Sequence, residues 1–354
     1  MKPISRNEVR RVGEFLRQDD RSDIERTKQA FDTLSAWRNA HAIHLNNFNS
    51  WIRKKVRRRY DNVIIAQRLK RFESIEAKLK ANPKMQLHRM QDIAGMRAVL
   101  TCIKDTYNLF NRTKSSTGDR NIVHIKDYIQ DPKPDGYRSI HLIFKCRSHA
   151  NPHADDLAVE FQIRTHLQHI WSTAYETLGT VQHTVFKRGE GEEFYKAYFR
   201  MVSALFSIAE GQPLLEACRG ISKEELIEEL RFFEDEYRIL QILRGAALIA
   251  DTIEKYPQGK DAYHVVELDS LALTAKIYAF TEKERKDAEE YYAKREFETR
   301  DEPNISVVQV AVGDVKALRR AYPNYFLDTQ TFIYIMEKRL GIKQIDDESN
   351  HSIL

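Results

Sequence analysis

Residues 159–171 read VEFQIRTHLQHIW, and the periodicity of the chain changes within this stretch. Polar and apolar side chains alternate as far as Thr165, which is the period of a strand with one buried face. From His166 onward the alternation stops and the pattern is that of a helix. A strand that leads directly into a helix is typical of a small sheet covered by helices. The sequence therefore predicts a domain of the α+β or α/β class.

The strand in this stretch carries its polar groups on one face. Glu160, Gln162 and Arg164 share that face, and Phe161 and Ile163 lie on the other. Three neighbouring polar groups on a short strand require water, partners or a ligand. A carboxylate in such a place is a candidate metal ligand or general base.

The segments around this strand continue the mixed order. Upstream, a helix capped by Ser22-Asp23 is predicted over 24–44, and a second helix over 61–81. Downstream of residue 190, the chain is predicted to be helical to about 258, with a capping box at Ser222 and Glu225. Further strands are predicted over 93–102, 121–128, 140–145 and 157–163, and in a smaller α+β unit over 263–268, 272–280 and 305–312.

Three groups of residues suggest phosphate chemistry. Lys70, Ser74 and Lys78 would share one face of the predicted helix, with Arg68 just ahead, and such a stripe suits a polyphosphate. Asp92 precedes an apolar strand and could hold a divalent cation. If the chain is extended after Gly136, Tyr137, Ser139 and His141 face one side, which suits base stacking and phosphate contact. The alternatives are an exposed lysine face, a turn aspartate and a half-buried strand.

Composition indicates a globular chain with two domains and helical additions. The 354 residues are 42% hydrophobic and 31% charged, with a net charge of +5. No apolar run is long enough for a membrane span, and the N-terminus lacks a signal-peptide pattern, so a cytoplasmic location without membrane contact is expected. A basic block attracts phosphate-rich partners such as RNA or nucleotides. It consists of Arg53, Lys54, Lys55, Arg57, Arg58 and Arg59.

Four strings taken together resemble the RelA/SpoT family of alarmone synthetases. They read RLKRFESIEAKL at 68–79, DIAGMR at 92–97, DYIQDPKPDGYRSIH at 127–141 and VEFQIRTHLQHIW at 159–171. The resemblance implies an α+β fold with a nucleotidyltransferase-like synthetase domain, a mixed sheet flanked by helices. It also implies a pyrophosphokinase that uses Mg²⁺ and moves the β,γ-diphosphate of ATP to a ribose 3′-hydroxyl.

The resemblance also implies roles for individual residues. Asp92 and Glu160 would bind the metal, and Glu160 would deprotonate the attacking hydroxyl; together with Lys78 they form the expected catalytic set. The residues expected to bind ATP are Arg68, Lys70, Ser74, Lys78 and Arg97, and the two arginines would stack on the two sides of adenine. The residues expected to bind the acceptor are Tyr137, Ser139, His141, Gln162 and Arg164.

Two departures qualify the resemblance. Asp135 stands where many alarmone synthetases have Asn, which leaves the choice of acceptor open. No His-Asp dipeptide occurs in the chain, so the hydrolase module of the long bifunctional members is not expected. The chain also leaves no room for their large regulatory half, and a small, synthetase-only member is predicted.

The layout further resembles the CapRel-type fused toxin–antitoxin proteins, which are small toxic alarmone synthetases. The predicted domains are N-terminal helices over 1–60, the synthetase core over 61–190, a helical extension over 191–260 and a pseudo-zinc-finger-like antitoxin domain over 261–345. The sequence AYPNYF at 321–326 contains a Tyr-x-x-Tyr pattern, so Tyr322 and Tyr325 are predicted to block the ATP site. A phage structural protein is the expected activator.

Three functions remain open from the sequence. The first is a self-inhibited toxin that modifies the tRNA 3′ CCA end and blocks translation, with the basic block holding the tRNA. The second is a (p)ppGpp or (p)ppApp synthetase acting on GDP, GTP or adenosine nucleotides. The third is a non-catalytic RNA-binding regulator, against which the presence of both Asp92 and Glu160 argues.

Overall fold

The computed structural model describes residues 4–18, 22–118, 120–147, 156–182, 186, 191–255, 261–269, 274–299, 302, 305–311 and 325–342. The chain forms two compact units. The first consists of Met1–Asp131 with Arg138–His166, and the second of Pro132–Tyr137 with Leu167–Leu354. The four-part division over 1–60, 61–190, 191–260 and 261–345 stays a prediction.

The first unit begins with two helices. Helix α1 spans Arg6–Leu16, and helix α2 spans Ile24–Val56. Asp23 caps α2 by accepting a hydrogen bond from the Arg26 backbone, as its position predicts. The helix continues well past His44, because the apolar residues that face the sheet recur as far as Val56.

A five-stranded mixed sheet forms the centre of the first unit. Its order is β1-β2-β5-β4-β3, and only the β2–β5 pair is parallel. The strands are β1 (Ile64–Leu69), β2 (Ala94–Leu100), β3 (Arg120–Asp127), β4 (Ile140–Cys146) and β5 (Leu157–Thr165), joined in part by helices α3 (Phe72–Ala81) and α4 (Ile103–Ser115).

The predicted helix over 61–81 is wrong in its first half. Residues Ile64–Leu69 form the edge strand β1, which pairs antiparallel with β2. Helix α3 begins only at Phe72. Short apolar runs fit strand and helix equally well, and here the ladder to β2 decides in favour of the strand.

The apolar face of the sheet packs against α2. The Phe48 ring of α2 lies 4.9 Å from the Phe144 ring and 5.5 Å from the Phe161 ring, measured between centroids. All three rings are fully buried. Because side chains alternate along each strand, this packing assigns the polar residues of β4 and β5 to the opposite face.

The second unit combines helices with a smaller sheet. Helix α7 starts with the predicted capping box, in which Ser222 and Glu225 exchange hydrogen bonds. The sheet has the order β7-β6-β8 and is antiparallel throughout. The elements are α5 (His166–Val181), α6 (Glu193–Glu210), α7 (Lys223–Tyr237), α8 (Ile239–Lys255), β6 (Asp261–Asp269), β7 (Thr274–Thr281), α9 (Arg285–Glu298), β8 (Ile305–Ala311) and α10 (Tyr325–Leu340).

Helix α10 is part of the core of the second unit. Asp328 at its start lies 3.0 Å from the Nε2 atom of His169 on α5. Phe332 stacks on Phe199 of α6, and the carbonyl of Leu340 accepts a hydrogen bond from Arg231 of α7. The C-terminal helix is therefore anchored at both ends.

The predicted α+β class, with a mixed sheet flanked by helices, is confirmed. The likeness of residues 261–345 to a pseudo-zinc finger stays a prediction. Among the helices that the structure describes, none is long and apolar enough to cross a membrane.

Candidate active site

Two lysines meet at the carboxylate of Asp92. Lys70 Nζ lies 3.0 Å and Lys78 Nζ 2.9 Å from the same oxygen, Asp92 Oδ2. The sequence predicts that Lys70 and Lys78 act together but wrongly puts both on one helix. Lys70 lies between β1 and α3, and only Lys78 and Ser74 belong to α3.

The backbone explains how the two lysines reach one carboxylate. The Lys70 N–H donates to the Ile93 carbonyl at 2.7 Å, which fixes the end of β1 beside Asp92. Helix α3 is anchored by Ile75 and Leu79, both fully buried. That anchoring turns Lys78 toward Asp92, whereas Ser74 is exposed.

The charges around Asp92 favour the ionised form of its carboxyl group. Burial by itself would raise its pKa, but the ammonium groups of Lys70 and Lys78 outweigh this effect and hold the pKa of Asp92 below its usual range. The second oxygen, Oδ1, is buried and accepts no hydrogen bond from the residues that the structure describes. Asp92 thus has one oxygen paired with two ammonium groups and one oxygen without a donor among the described residues.

Glu160 is held by two neighbours on the sheet. His141 Nδ1 lies 3.0 Å from Glu160 Oε1, and Gln162 Nε2 donates to Oε2 at 2.9 Å. An ionised carboxylate only accepts, so the imidazole is the donor in the first of these bonds. Both oxygens of Glu160 are oriented by side chains that the sequence predicts to lie beside it.

The two carboxylates influence each other. Burial and the charge of Asp92 raise the pKa of Glu160, but the contacts with His141 and Gln162 outweigh both effects and hold the pKa below its usual range. Asp92 and Glu160 are therefore close enough to interact electrostatically. Two acidic groups in this position would be stabilised by a cation between them.

Strand register brings Arg68 and Arg97 onto the same face as Glu160 and Gln162. Gly95 on β2 pairs with Arg68 on β1 and with Glu160 on β5. In the adjacent row, Gln162 pairs with Arg97 on β2 and with His141 on β4. A Cβ on Gly95 would lie 3.7 Å from the Arg68 side chain, so glycine leaves room over the strand here.

The predicted acceptor residues are not all on one extended strand. Strand β4 begins at Ile140, and the turn before it contains Gly136 with a φ of +97°. Tyr137 belongs to the second unit, is buried, and has the Lys133 ammonium 4.8 Å from its ring centroid. Ser139 is buried and donates to the Ile163 carbonyl at 3.1 Å. Arg164 is fully buried, and the functions of these residues stay predictions.

Two residues beside His141 are missing from the sequence-based prediction. The Tyr128 ring meets the His141 ring edge to face, with 5.2 Å between centroids. Lys126 pairs with His141 in the β3–β4 register. The alternation along β3 is a usable signal for Lys126, but the contact of Tyr128 depends on the turn that follows the strand.

The basic block extends beyond the residues that the sequence predicts. Lys55 Nζ lies 4.6 Å and Arg120 Cζ 4.7 Å from the centroid of the Trp51 ring. Lys55 also donates to the Arg112 carbonyl at 3.0 Å. Partial burial and the charges of Arg112, Arg120 and Arg59 lower the pKa of Lys55. The other block members, Arg53, Lys54, Arg57, Arg58 and Arg59, are exposed.

The predicted inhibitory tyrosines are not tested by the structure. Tyr322 lies outside the described residues. Tyr325 is the first residue of α10. Their role stays a prediction.

The carboxylates of Asp92 and Glu160 fit a magnesium ion. Mg²⁺ is usually bound through one or two carboxylates together with substrate phosphates and water. The buried Asp92 Oδ1, without a hydrogen-bond donor in the described part of the chain, is a suitable oxygen ligand. Across the same described part, no group of three or more His, Cys, Asp and Glu side chains is arranged to hold a metal ion.

Residues 67–190 match the family described as "Region found in RelA / SpoT proteins". The matched region contains all the residues predicted to bind ATP, metal or acceptor, from Arg68 to Arg164. The match agrees with the family resemblance of this region, whereas the fused toxin–antitoxin form stays a prediction.

Curated relatives match over part of their length. The GTP pyrophosphokinase YwaC of Bacillus subtilis (strain 168) is 40% identical over 111 residues, which are 30% of this chain and 52% of YwaC. The GTP pyrophosphokinase YjbM of the same strain is 31% identical over 116 residues, 32% of this chain and 54% of YjbM. The chain thus spans about half the length of these relatives.

Among solved structures, the small alarmone synthetase 2 of Bacillus subtilis aligns with a TM-score of 0.43 and 26% identity, covering 50% of this chain and 94% of that one.

Proposed function

We propose that this protein is an ATP-dependent pyrophosphokinase that transfers a diphosphate to a ribose 3′-hydroxyl. The observation that carries the proposal is the convergence of Lys70 and Lys78 on Asp92, whose charge also acts on Glu160. Phosphoryl transfer depends on positioning and on neutralising oxygen charge, and this arrangement supplies both. A purely RNA-binding protein has no use for two interacting, partly buried carboxylates beside lysines.

The lysines are suited to the phosphates of ATP. Their ammonium groups meet within hydrogen-bond distance of one oxygen, so they can contact adjacent phosphate groups after leaving it. Arg68 and Arg97 lie in neighbouring register rows of β1 and β2, where planar guanidinium groups can stack on adenine. Ser74 on the exposed side of α3 is the remaining candidate donor.

Asp92 and Glu160 are the proposed ligands of Mg²⁺. When bound, the ion would neutralise the negative charge that develops on the transferred diphosphate. Glu160 is also the proposed proton acceptor for the 3′-hydroxyl. Its oxygens are oriented by His141 and Gln162, so its position is fixed before the acceptor arrives.

The enzyme proposal is tested by incubating the full chain with β-labelled ATP and candidate acceptors. Transfer of label with release of AMP is expected for the wild type. The Glu160→Gln variant keeps the size of the side chain but cannot accept a proton, so it should lose about 100-fold or more in rate while still binding ATP. Absence of transfer to every acceptor would refute the proposal.

For the acceptor, we favour the 3′ end of tRNA. The support is the cluster around Trp51, where Arg112 and Arg120 join the basic block. Cations that repel one another are stabilised by a polyanion, and several phosphate contacts would make binding steeply dependent on salt. Exchange of Arg57 and Arg58 for Glu should abolish label transfer to tRNA and leave ATP binding unchanged.

A matched control for this exchange is available in the second unit. Lys276 and Arg285 are exposed cations far along the chain, and their exchange for Glu changes the net charge by the same amount. If both pairs reduce transfer equally, net charge and not the basic block is responsible. Equal loss of ATP binding and tRNA transfer in the Arg57 and Arg58 variant would also contradict the acceptor role.

A nucleotide acceptor is the second candidate. The matched relatives YwaC and YjbM are named GTP pyrophosphokinases, which supports GDP or GTP as the acceptor of this chain. The labelling assay separates the two candidates directly, because product on tRNA and product on nucleotide differ greatly in size.

We further propose that the enzyme acts as a toxin whose own C-terminal part restrains it until a phage structural protein binds. Removing everything after residue 260 is a poor test, because it also deletes α10, whose Phe332 packs on Phe199. Exchange of Tyr322 and Tyr325 for Ala in the full chain avoids this problem. Faster growth arrest than with wild type would support self-inhibition, and unchanged growth would contradict it.

A further inference from the structure

We propose that Lys70 and Lys78 form a clamp on the Asp92 carboxylate, which makes the divalent cation and the nucleotide triphosphate bind together and each alone bind poorly. The identity of the nucleotide rests on the proposed function; the clamp itself rests on contacts within the first unit. Its consequence is a site that stays closed to a free cation and disfavours metal-free nucleotide.

The geometry of the clamp is compact. Both ammonium groups reach the same carboxylate oxygen, at 3.0 and 2.9 Å. The side chains of Lys70, Asp92 and Lys78 are only 13%, 20% and 33% exposed. These charges are therefore weakly screened by water and salt, and their mutual contacts carry more weight than those of a surface ion pair.

A free cation is disfavoured by the charge of this group. One carboxylate and two ammonium groups leave a net positive charge at the position where Mg²⁺ would bind. The buried Asp92 Oδ1 can accept the ion only against the repulsion of both lysines. Without phosphates to attract Lys70 and Lys78 away, that repulsion persists.

Metal-free nucleotide meets the opposite problem. Its phosphates would draw Lys70 and Lys78 from Asp92 and leave a buried carboxylate without a counterion. That carboxylate would also face the negative charge of Glu160, with which it interacts electrostatically. When cation and nucleotide arrive together, the phosphates take the lysines and the ion takes Asp92, so every charge gains a partner.

Such an arrangement is a positive coupling between two ligands, and coupling is reciprocal. Removing the positive charges of Lys70 and Lys78 should therefore improve binding of the free cation. Neutralising Asp92 should improve binding of the metal-free nucleotide, although it removes a proposed metal ligand. A site without the clamp would show neither effect.

The cation arm of the test uses Mn²⁺, which shares the oxygen preference of Mg²⁺ and is detected by electron paramagnetic resonance. Nucleotide-free full-length protein is titrated as wild type and as the double variant Lys70→Gln and Lys78→Gln. The double variant should bind Mn²⁺ roughly 5- to 150-fold more tightly, the usual range for coupling between sites. Adding Asp92→Asn to the double variant should remove this gain in Mn²⁺ affinity.

The nucleotide arm measures binding of ATP in excess EDTA by calorimetry. Asp92→Asn should bind metal-free ATP at least about fivefold more tightly than wild type. Lys80→Gln is the matched control for both arms, because Lys80 lies on the same helix and pairs with Glu76 at 2.9 Å. It should leave both affinities unchanged.

Two results would overturn the clamp. One is Mn²⁺ affinity in the double lysine variant equal to that of wild type, with circular dichroism showing that the variant is folded. The other is metal-free ATP binding to Asp92→Asn that is no tighter than to wild type. If no variant binds ATP under any condition, the proposed function fails, but the Mn²⁺ arm still decides whether the clamp exists.

Discussion

The turn before β4 gives a prediction whose size follows from the structure. Gly136 has a φ of +97°, a conformation that residues with a side chain rarely adopt. An added Cβ would lie 3.0 Å from the Ser203 Cβ and 3.1 Å from the Trp171 ring. Neither neighbour can easily move, because Ser203 donates to the Gly136 carbonyl at 2.7 Å and Trp171 to the Phe199 carbonyl at 2.8 Å. Gly136→Ala should therefore destabilise the second unit.

The expected loss has two parts. The left-handed backbone costs a residue with a Cβ about 1–2 kcal/mol. Forcing an extra methyl group into a packed contact adds roughly 1–3 kcal/mol. The sum is about 2–5 kcal/mol, which for a unit of this size corresponds to a fall in melting temperature of roughly 4–20 °C.

Gly211→Ala separates the two parts. Gly211 has a φ of +62°, and no atom of the described residues would lie within 4 Å of a Cβ added there, so only the backbone cost applies. Thermal unfolding is followed by tryptophan fluorescence and circular dichroism for both variants. Gly136→Ala should melt clearly below Gly211→Ala. Equal melting temperatures would mean that the turn yields and that the close approach to Trp171 exerts no constraint.

Three further outcomes are expected. Because the pKa of Glu160 is lowered, its charge stabilises the fold above the ordinary value of 4.5, and this contribution is lost as pH falls from 4.5 through the lowered pKa. The melting-temperature gap between wild type and Glu160→Gln should therefore be constant above pH 4.5 and shrink only below it. Burial raises the pKa of Glu234 to about 7, so the free energy of unfolding should fall as pH rises from 5 to 8. Glu234→Gln should make the melting temperature less dependent on pH over this range, and an unchanged dependence would contradict this prediction. Phe48→Ala removes a ring packed on Phe144 and Phe161 and should cost about 3–5 kcal/mol in denaturant unfolding, whereas a loss below about 1 kcal/mol would mean that the core refills.

Local patterns were sufficient for several features of the fold and of the site. The alternation along β5 assigns Glu160 and Gln162 to one face, and their hydrogen bond confirms it. The cap at Asp23 and the capping box at Ser222 are likewise correct. These features depend on residues a few positions apart, and their periodicity is therefore visible in the sequence.

Contacts between distant segments were beyond such patterns. Arg112 and Arg120 join the basic block from the end of α4 and the start of β3. The edge contact of Tyr128 with His141 depends on a turn that closes after β3. No periodicity in the sequence measures these distances.

The sequence by itself determined that helices and strands are mixed, which face of β5 is polar and which residues carry charge near it; the α+β class followed from the family resemblance. Only the tertiary structure decided that Ile64–Leu69 is a strand, and this moved Lys70 off the helix and beside Asp92. The physical reason is that a short apolar segment has no strong conformational preference of its own. Hydrogen bonds to β2, donated and accepted along the whole length of β1, select the strand and with it the position of the lysine.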